Sequence, residues 1–299
     1  SQDATTNPLF VSQAGQNNDP TYKAFVDEAV AYAKTRATGD DAVELAIDRL
    51  SVNLGKTITG LVPGFVSTEV DPRLSFDTEE TLRRALRIIE MYEADGIDRS
   101  RILIKVAGTW EGIQAAEALE KQGITTNITL VFSLAQAVAA AQRGCHLISP
   151  FVGRILDFYK KEEGVDGYPM LEDPGVKSVT RIYRYFKKYG HDCIVMGASW
   201  RNLDELRGLA GVDRVTVAPH QLQELATCEG ELVRQLSPAQ AAAECEDEEI
   251  GGGYMDQKTF NWLHNTDACG VEKLSAGIRA FAADTDKLEE VIRQHPGWN

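Results

Sequence analysis

Lys105 stands inside "ILIKVA" (102–107), an aliphatic run that reads as a buried strand. A charged lysine is rarely buried unless it is paired or its amine is put to use. Alternation along a strand puts Leu103, Lys105 and Ala107 on one face and Ile102, Ile104 and Val106 on the other. The same alternation in "FVSTEV" (65–70) sets Ser67 and Glu69 opposite Val66, Thr68 and Val70. In "TTNITLVF" (125–132) it sets Thr125, Asn127, Thr129 and Val131 opposite Thr126, Ile128 and Leu130. Taken singly, each polar residue has an ordinary structural role: a lysine snorkels, a strand-end glutamate faces water, Asn and Thr satisfy backbone groups. Taken together, three successive strands present a carboxylate, an amine, an amide and a hydroxyl on one face. Burial disfavours an ammonium ion relative to the free amine. A free amine adds to a ketone to form a Schiff base, whose iminium weakens the neighbouring carbon–carbon bond. Glu69 is then the candidate general base for a water that Thr129 positions, and Asn127 the candidate partner of a substrate hydroxyl.

Two further stretches point to an anionic substrate. "LISPFVGRIL" (147–156) leads from a strand into a helix, with Ser149 at the turn and Arg154 just inside. "MGASWRNLDEL" (196–206) does the same, with Ser199 at the expected N-cap and Arg201 in the expected first turn. An arginine beside a helix N-terminus is an anion site in the making, and two on neighbouring strands suggest a phosphate clamp. Either arginine alone also reads as an ordinary surface residue.

These residues need a parallel sheet to hold them. Beyond the three strands above, "CHLISPF" (145–151), "CIVMGAS" (193–199) and "RVTVAP" (214–219) read as strands, with "DATTNP" (3–8) as a seventh candidate. Amphipathic helices lie between most of them. One is "TEETLRRALRIIEMYEA", with Asp77 as N-cap and Glu80 at capping-box spacing; "WEGIQAAEALEKQG" and "SLAQAVAAAQRG" each end on a glycine stop signal. Strands alternating with helices predict βαβ units and one α/β domain over 1–299, a (β/α)8 barrel. Residues 255–294 read as extra helices packed across the barrel. A closed barrel needs eight strands, so the first reads as missing from this chain.

The chain of 299 residues has a formal net charge of −14 and a pI near 4.9. Such a chain repels nucleic acid and anionic membranes. No secretory signal opens it, and "ITLVFSLAQAVAAA" is too short to span a bilayer. The five scattered cysteines form no CxxC, which favours reduced thiols in a cytosol-like compartment. No histidine has ligand spacing, and no metal or cofactor motif is present. "CEDEEIGGGYMD" (245–256) lacks the calcium-loop pattern and reads as a solvated acidic loop.

The chain resembles the transaldolases. The strings that carry the resemblance are "DATTNP", "STEVD", "RILIKVAGTWEGIQAAE", "NITLVFS", "LISPFVGRILDFYK", "LEDPGVKSV" and "MGASWRN", in family order from residue 3 to Asn202. The resemblance implies a class I aldolase barrel, a homodimer, and no metal or organic cofactor. It implies transfer of a dihydroxyacetone unit from sedoheptulose 7-phosphate or fructose 6-phosphate to glyceraldehyde 3-phosphate or erythrose 4-phosphate, in the cytoplasmic pentose phosphate pathway. By the same resemblance Lys105 is the Schiff-base lysine, and Glu69 and Thr129 hold the catalytic water. Asn7 and Asn127 bind the dihydroxyacetone hydroxyls, Ser149 and Phe151 line the pocket, and Arg154, Ser199 and Arg201 bind phosphate. The family also carries an acid/base aspartate on a strand before "DATTNP". Asp3 belongs to that motif and does not replace it. The expectation is therefore weakened turnover and stability for the chain starting at Ser1, since losing a general acid/base costs about 10²–10⁴ in rate and an open barrel exposes an edge. Two other readings stand beside this one: a fructose 6-phosphate aldolase that releases free dihydroxyacetone, and a non-catalytic homologue.

Overall fold

The computed structural model describes residues 1–298. Seven strands form one parallel sheet in chain order: β1 (Ala4–Thr5), β2 (Val66–Glu69), β3 (Ile102–Ala107), β4 (Thr126–Val131), β5 (Leu147–Pro150), β6 (Ile194–Gly197) and β7 (Arg214–Val215). Three helices separate β1 from β2: α1 (Pro8–Gly15), α2 (Pro20–Lys34) and α3 (Gly39–Thr59). Crossover helices then alternate with strands: α4 (Thr78–Ala94), α5 (Trp110–Glu120), α6 (Leu134–Gln142), α7 (Val152–Glu163) with α8 (Pro174–Tyr189), and α9 (Leu203–Gly208). After β7 come α10 (Pro219–Ala226), α11 (Pro238–Ala243), α12 (Gln257–Thr266) and α13 (Ala268–Arg293). This is the curled, helix-wrapped sheet of a (β/α)8 aldolase-type barrel.

The sheet bends far enough for its two edges to meet. Thr5 Oγ1, at the end of β1, lies 2.9 Å from Thr216 Oγ1, just past β7. Among the described residues no β1–β7 ladder is formed, and these hydroxyls bridge the seam. Asp3 accepts a 2.7 Å hydrogen bond from the Phe65 backbone N–H, and so ties β1 to β2 at the end away from the chemistry.

Helix starts follow the expected chemistry. The Asp77 carboxylate accepts the Glu80 N–H at 2.9 Å, and Ser133 with Gln136 forms a reciprocal capping box on α6. Left-handed glycines cap α7 and α8, at Gly164 and Gly190, whereas Gly123 and Gly144 lie a few residues past the ends of α5 and α6.

Two expectations need correction. First, the alternation in β4 breaks after Thr129. Ile128 pairs with Ile148 but Val131 with Pro150, so β4 carries one extra residue, and Leu130 takes a left-handed φ of 55°. This β-bulge turns Leu130 inward, where it packs with Phe151 and Phe281, and leaves Val131 in the main core under the helices. Second, "RVTVAP" is a strand over only two residues, because Pro219 already opens α10. The acidic loop at 245–256 is solvated as expected, with Glu246, Glu248, Glu249 and Asp256 exposed, and it is anchored at a few points. Met255 is fully buried, Ile250 N–H donates to the Tyr185 hydroxyl, and Lys188 Nζ donates to the carbonyls of Cys245 and Asp247.

Candidate active site

Parallel register brings the polar face of three strands to one level. Glu69 stands opposite Lys105, Lys105 opposite Asn127, and Thr129 opposite Ala107 one step higher. Lys105 Nζ lies 2.9 Å from Glu69 Oε2 and donates to the Thr6 carbonyl at 3.1 Å. Both side chains are buried, at 7 % and 4 % exposure. Burial pushes the Glu69 carboxyl above the ordinary carboxylate range, against the opposing pull of Lys105 and Arg154. Two polar atoms here are buried without a well-angled hydrogen bond from the protein: Glu69 Oε2 and Thr129 Oγ1.

A cavity of about 620 Å³ opens above Lys105. Asn7, Lys105, Thr129, Ser149, Phe151, Arg154 and Ser199 all line it. Asn7 already accepts the Phe10 N–H as N-cap of α1, which fixes its amide oxygen. Asn127 is not on the cavity wall. It is fully buried in a chain of hydrogen bonds, accepting from Ser149 Oγ at 2.7 Å and donating to Ser67 Oγ at 3.1 Å.

Arg154 differs from every other arginine beside the cavity. Its guanidinium lies over the rings of Phe151 and Phe281, at 5.0 and 5.6 Å. Burial and the nearby Arg201 hold its pKa below the usual arginine range. Among the described residues no carboxylate or carbonyl accepts a hydrogen bond from it. Arg201 is placed otherwise, in a two-pronged ion pair with Asp157 at 2.8 to 3.2 Å. The loops that carry these arginines are zipped together: Val152 N–H donates to the Ala198 carbonyl and Gly153 N–H to that of Ser199. A side chain at residue 153 would strike Ser199 O at 2.5 Å, so only glycine allows that approach.

The expected N-cap at Ser199 is corrected. Asn202 caps α9, with Glu205 completing the capping box, and Ser199 instead takes a left-handed φ of 61° at the cavity wall. Arg201 therefore precedes the helix. Glu205 is fully buried and accepts the Arg201 N–H at 2.6 Å; burial pushes its carboxyl up to about 7. A carboxyl held above its unfolded value stabilises the fold at low pH and loses that contribution as pH rises through about 7. Glu205→Gln should thus leave thermal stability nearly unchanged at pH 5. At pH 8 the variant should melt a few degrees above the parent. Equal pH slopes in the two melting curves would contradict this.

α13 supplies what sequence reasoning missed. Phe281 sits 5.9 Å from Lys105 Nζ, and Ala280 and Asp284 line the cavity beside it. Its crossing of the barrel was legible, but which face meets the site depends on helix rotation against β4, which no spacing reports.

The chain matches the family model described as Transaldolase/Fructose-6-phosphate aldolase over residues 1–292. The chain belongs to the transaldolase/fructose-6-phosphate aldolase family. Among its relatives is a protein named Transaldolase from Alteromonas mediterranea, 52% identical over 294 residues, covering 98% of this chain and 89% of the relative. Similar relatives of that name come from Marinobacter nauticus, 51% identical over 295 residues with the same coverage, and Thermosynechococcus vestitus, 50% identical over 298 residues, covering 98% of this chain and 75% of the relative. The family fits a transaldolase function, and sugar phosphates as the substrate class. A larger groove of about 720 Å³ beside α8 has no such character. Its cations are spoken for by carboxylates: Lys177 by Glu172, Arg181 by Asp247 and Arg184 by Glu244. Among the described residues no helix is long and apolar enough to cross a membrane.

Proposed function

We propose that this chain moves a dihydroxyacetone unit from sedoheptulose 7-phosphate or fructose 6-phosphate to an aldose phosphate, through an imine on Lys105. The observation that carries this reading is Arg154: a partly buried guanidinium that no carboxylate among the described residues hydrogen-bonds, in the same cavity as a buried amine. A substrate phosphate supplies the missing charge and sets the ketone over Lys105.

The Lys105 amine adds to the ketone carbon, and the resulting carbinolamine loses water to give the iminium. Glu69 takes and returns the proton of that water, which the Thr129 hydroxyl holds; each offers a buried oxygen with no well-angled protein hydrogen bond. The iminium accepts the electron pair of the adjacent carbon–carbon bond as the aldose phosphate leaves, the hydroxyl proton of its new aldehyde passing to solvent water and returning from it to the acceptor oxygen in the reverse addition. The resulting enamine then attacks the acceptor aldehyde, and water releases the new ketose. Asn7 serves the donor hydroxyls from the cavity wall, Asn127 serves them from behind it through Ser149, whose hydroxyl it holds, and Phe151 forms the wall. Ser199 and Arg201 complete the phosphate site, Arg201 by leaving Asp157. The resemblance gives the acid/base for bond cleavage to an aspartate that residues 1–298 do not supply; Asp3 is engaged with Phe65.

Four of the five cysteines are buried and none is paired, which supports a reducing, cytoplasmic setting. A single domain is the reading that the unbroken alternation of strands and helices supports, and a homodimer is what the resemblance implies.

Acceptor dependence tests the reaction. With fructose 6-phosphate alone, turnover should be at background; adding erythrose 4-phosphate should release glyceraldehyde 3-phosphate at least about tenfold faster, since the enamine needs an aldehyde to leave on. Equal rates with and without acceptor would make the chain an aldolase instead.

A further inference from the structure

We infer that Gln136 is a positioning residue for the reaction: it clamps the β4 bulge and thereby aims the Thr129 hydroxyl at the Lys105 pocket. The inference rests on the reading of Lys105, Glu69 and Thr129 as the Schiff-base site.

Leu130 and Ser199 are the two non-glycine residues with left-handed φ among the described residues; Ser199 lines the cavity, and Leu130 packs with Phe151 and Phe281, which line it. Such backbone persists only where the surroundings over-determine it. For Leu130 the surroundings are visible. The bulge takes the Leu130 carbonyl and the Phe132 N–H out of the regular ladder, and both would be orphaned in a dry core. One fully buried side chain takes both. Gln136 Nε2 donates to Leu130 O at 3.0 Å, and Gln136 Oε1 accepts from Phe132 N at 2.9 Å. The same amide donates to Gly108 O at 2.8 Å, at the end of β3, so the clamp spans the strands of Lys105 and Thr129. Gly108 N–H donates in turn to Thr129 O at 2.8 Å. Thr129 is thus held from the backbone side, while its hydroxyl has no protein partner to orient it.

The clamp has a backing plate. α13 crosses directly over Leu130, and a methyl group on Gly277 would lie 2.7 Å from Leu130 Cδ2 and 3.4 Å from Arg154 Nη1. Leu130 is therefore wedged between the Gln136 amide and α13. Relaxing either side frees the strand immediately after Thr129 and loosens the Gly108–Thr129 contact, so the Thr129 hydroxyl loses its fixed aim at the Lys105 pocket.

Gln136→Met keeps the volume and removes every side-chain hydrogen bond of this residue, its part in the α6 capping box included. In the full chain it should lower kcat by about 10- to 100-fold with KM changed less than threefold, since Thr129 serves a chemical step and not phosphate binding. Borohydride trapping with fructose 6-phosphate should still place an adduct on Lys105. In a Thr129→Val background the same substitution should cost less than threefold further, because its target is already gone. A role confined to packing would cost the same in both backgrounds, and that result overturns the inference, as does an unchanged kcat in the single variant. Gly277→Ala, which presses on Leu130 from the other side, provides a second reading if Gln136→Met does not fold. It should show the same kcat loss and the same non-additivity with Thr129→Val, and full additivity there also overturns the inference. A parent chain that forms no Lys105 adduct would overturn the site reading, and this inference with it.

Discussion

Lys105→Met should abolish turnover, by about 10⁴-fold or more, because no other amine among the described residues lines the cavity to form the imine. Incubation with fructose 6-phosphate and borohydride should add a reduced sugar fragment to the parent at Lys105 and nothing to the variant, read by intact mass and peptide mapping. A three-carbon adduct reports imine formation and bond cleavage; a six-carbon phosphate adduct reports imine formation alone. An adduct on another lysine would refute the assignment. The variant also leaves Glu69 buried without its cation. Removing one partner of a buried pair commonly costs about 3–5 kcal/mol, and here protonation limits the loss. The Glu69 carboxyl already sits above the ordinary range, chiefly through burial. Its contribution is present at low pH and lost as pH rises through that raised value, so the variant's deficit relative to the parent should shrink on acidification. A deficit that grows toward acid would show that Glu69 stays ionised.

Arg154→Met should separate function from stability. A charge-assisted hydrogen bond contributes about 1.5–3 kcal/mol, so losing a two-pronged phosphate contact should lower kcat/KM for phosphorylated substrates by about 10²–10³-fold, chiefly through KM. Unphosphorylated fructose, which cannot use the contact, should be processed equally well by parent and variant. Stability should hold or rise, because the substitution removes a partly buried charge that no protein acceptor hydrogen-bonds and leaves an apolar chain between Phe151 and Phe281. Arg154→Lys keeps the charge without the fork and should fall between the two. If Arg154→Met melted well below the parent, the guanidinium would be structural. An unchanged KM would move the phosphate elsewhere.

What was legible in the sequence followed local rules. The period-two pattern of β2, β3 and β4 put Glu69, Lys105, Asn127 and Thr129 on one face, and the parallel register then set them side by side. The capping aspartate of α4 was readable from Asp77 and Glu80. The misreadings came where a distant partner decided. Leu130 left its expected face because Gln136 and α13 stabilise a bulge that strand alternation cannot encode. The Asp157 partner of Arg201, 44 positions away, had no signal in the sequence. Ser199 looked like a cap, but Asn202 with Glu205 makes a complete capping box three residues later. Phe281 went unnoticed because an apolar residue on a long helix carries no mark of what lies beneath it.

α13 has a consequence for biosynthesis. Its residues are made well after β3 and β4, yet Phe281 and Gly277 form the roof above Lys105, Arg154 and Leu130. On the ribosome the strands that carry Lys105 and Thr129 exist before their cover does. A nascent chain therefore carries Lys105 and Glu69 before it has an enclosed pocket. Docking of α13 is in this sense the step that turns a sheet bearing an amine into a site.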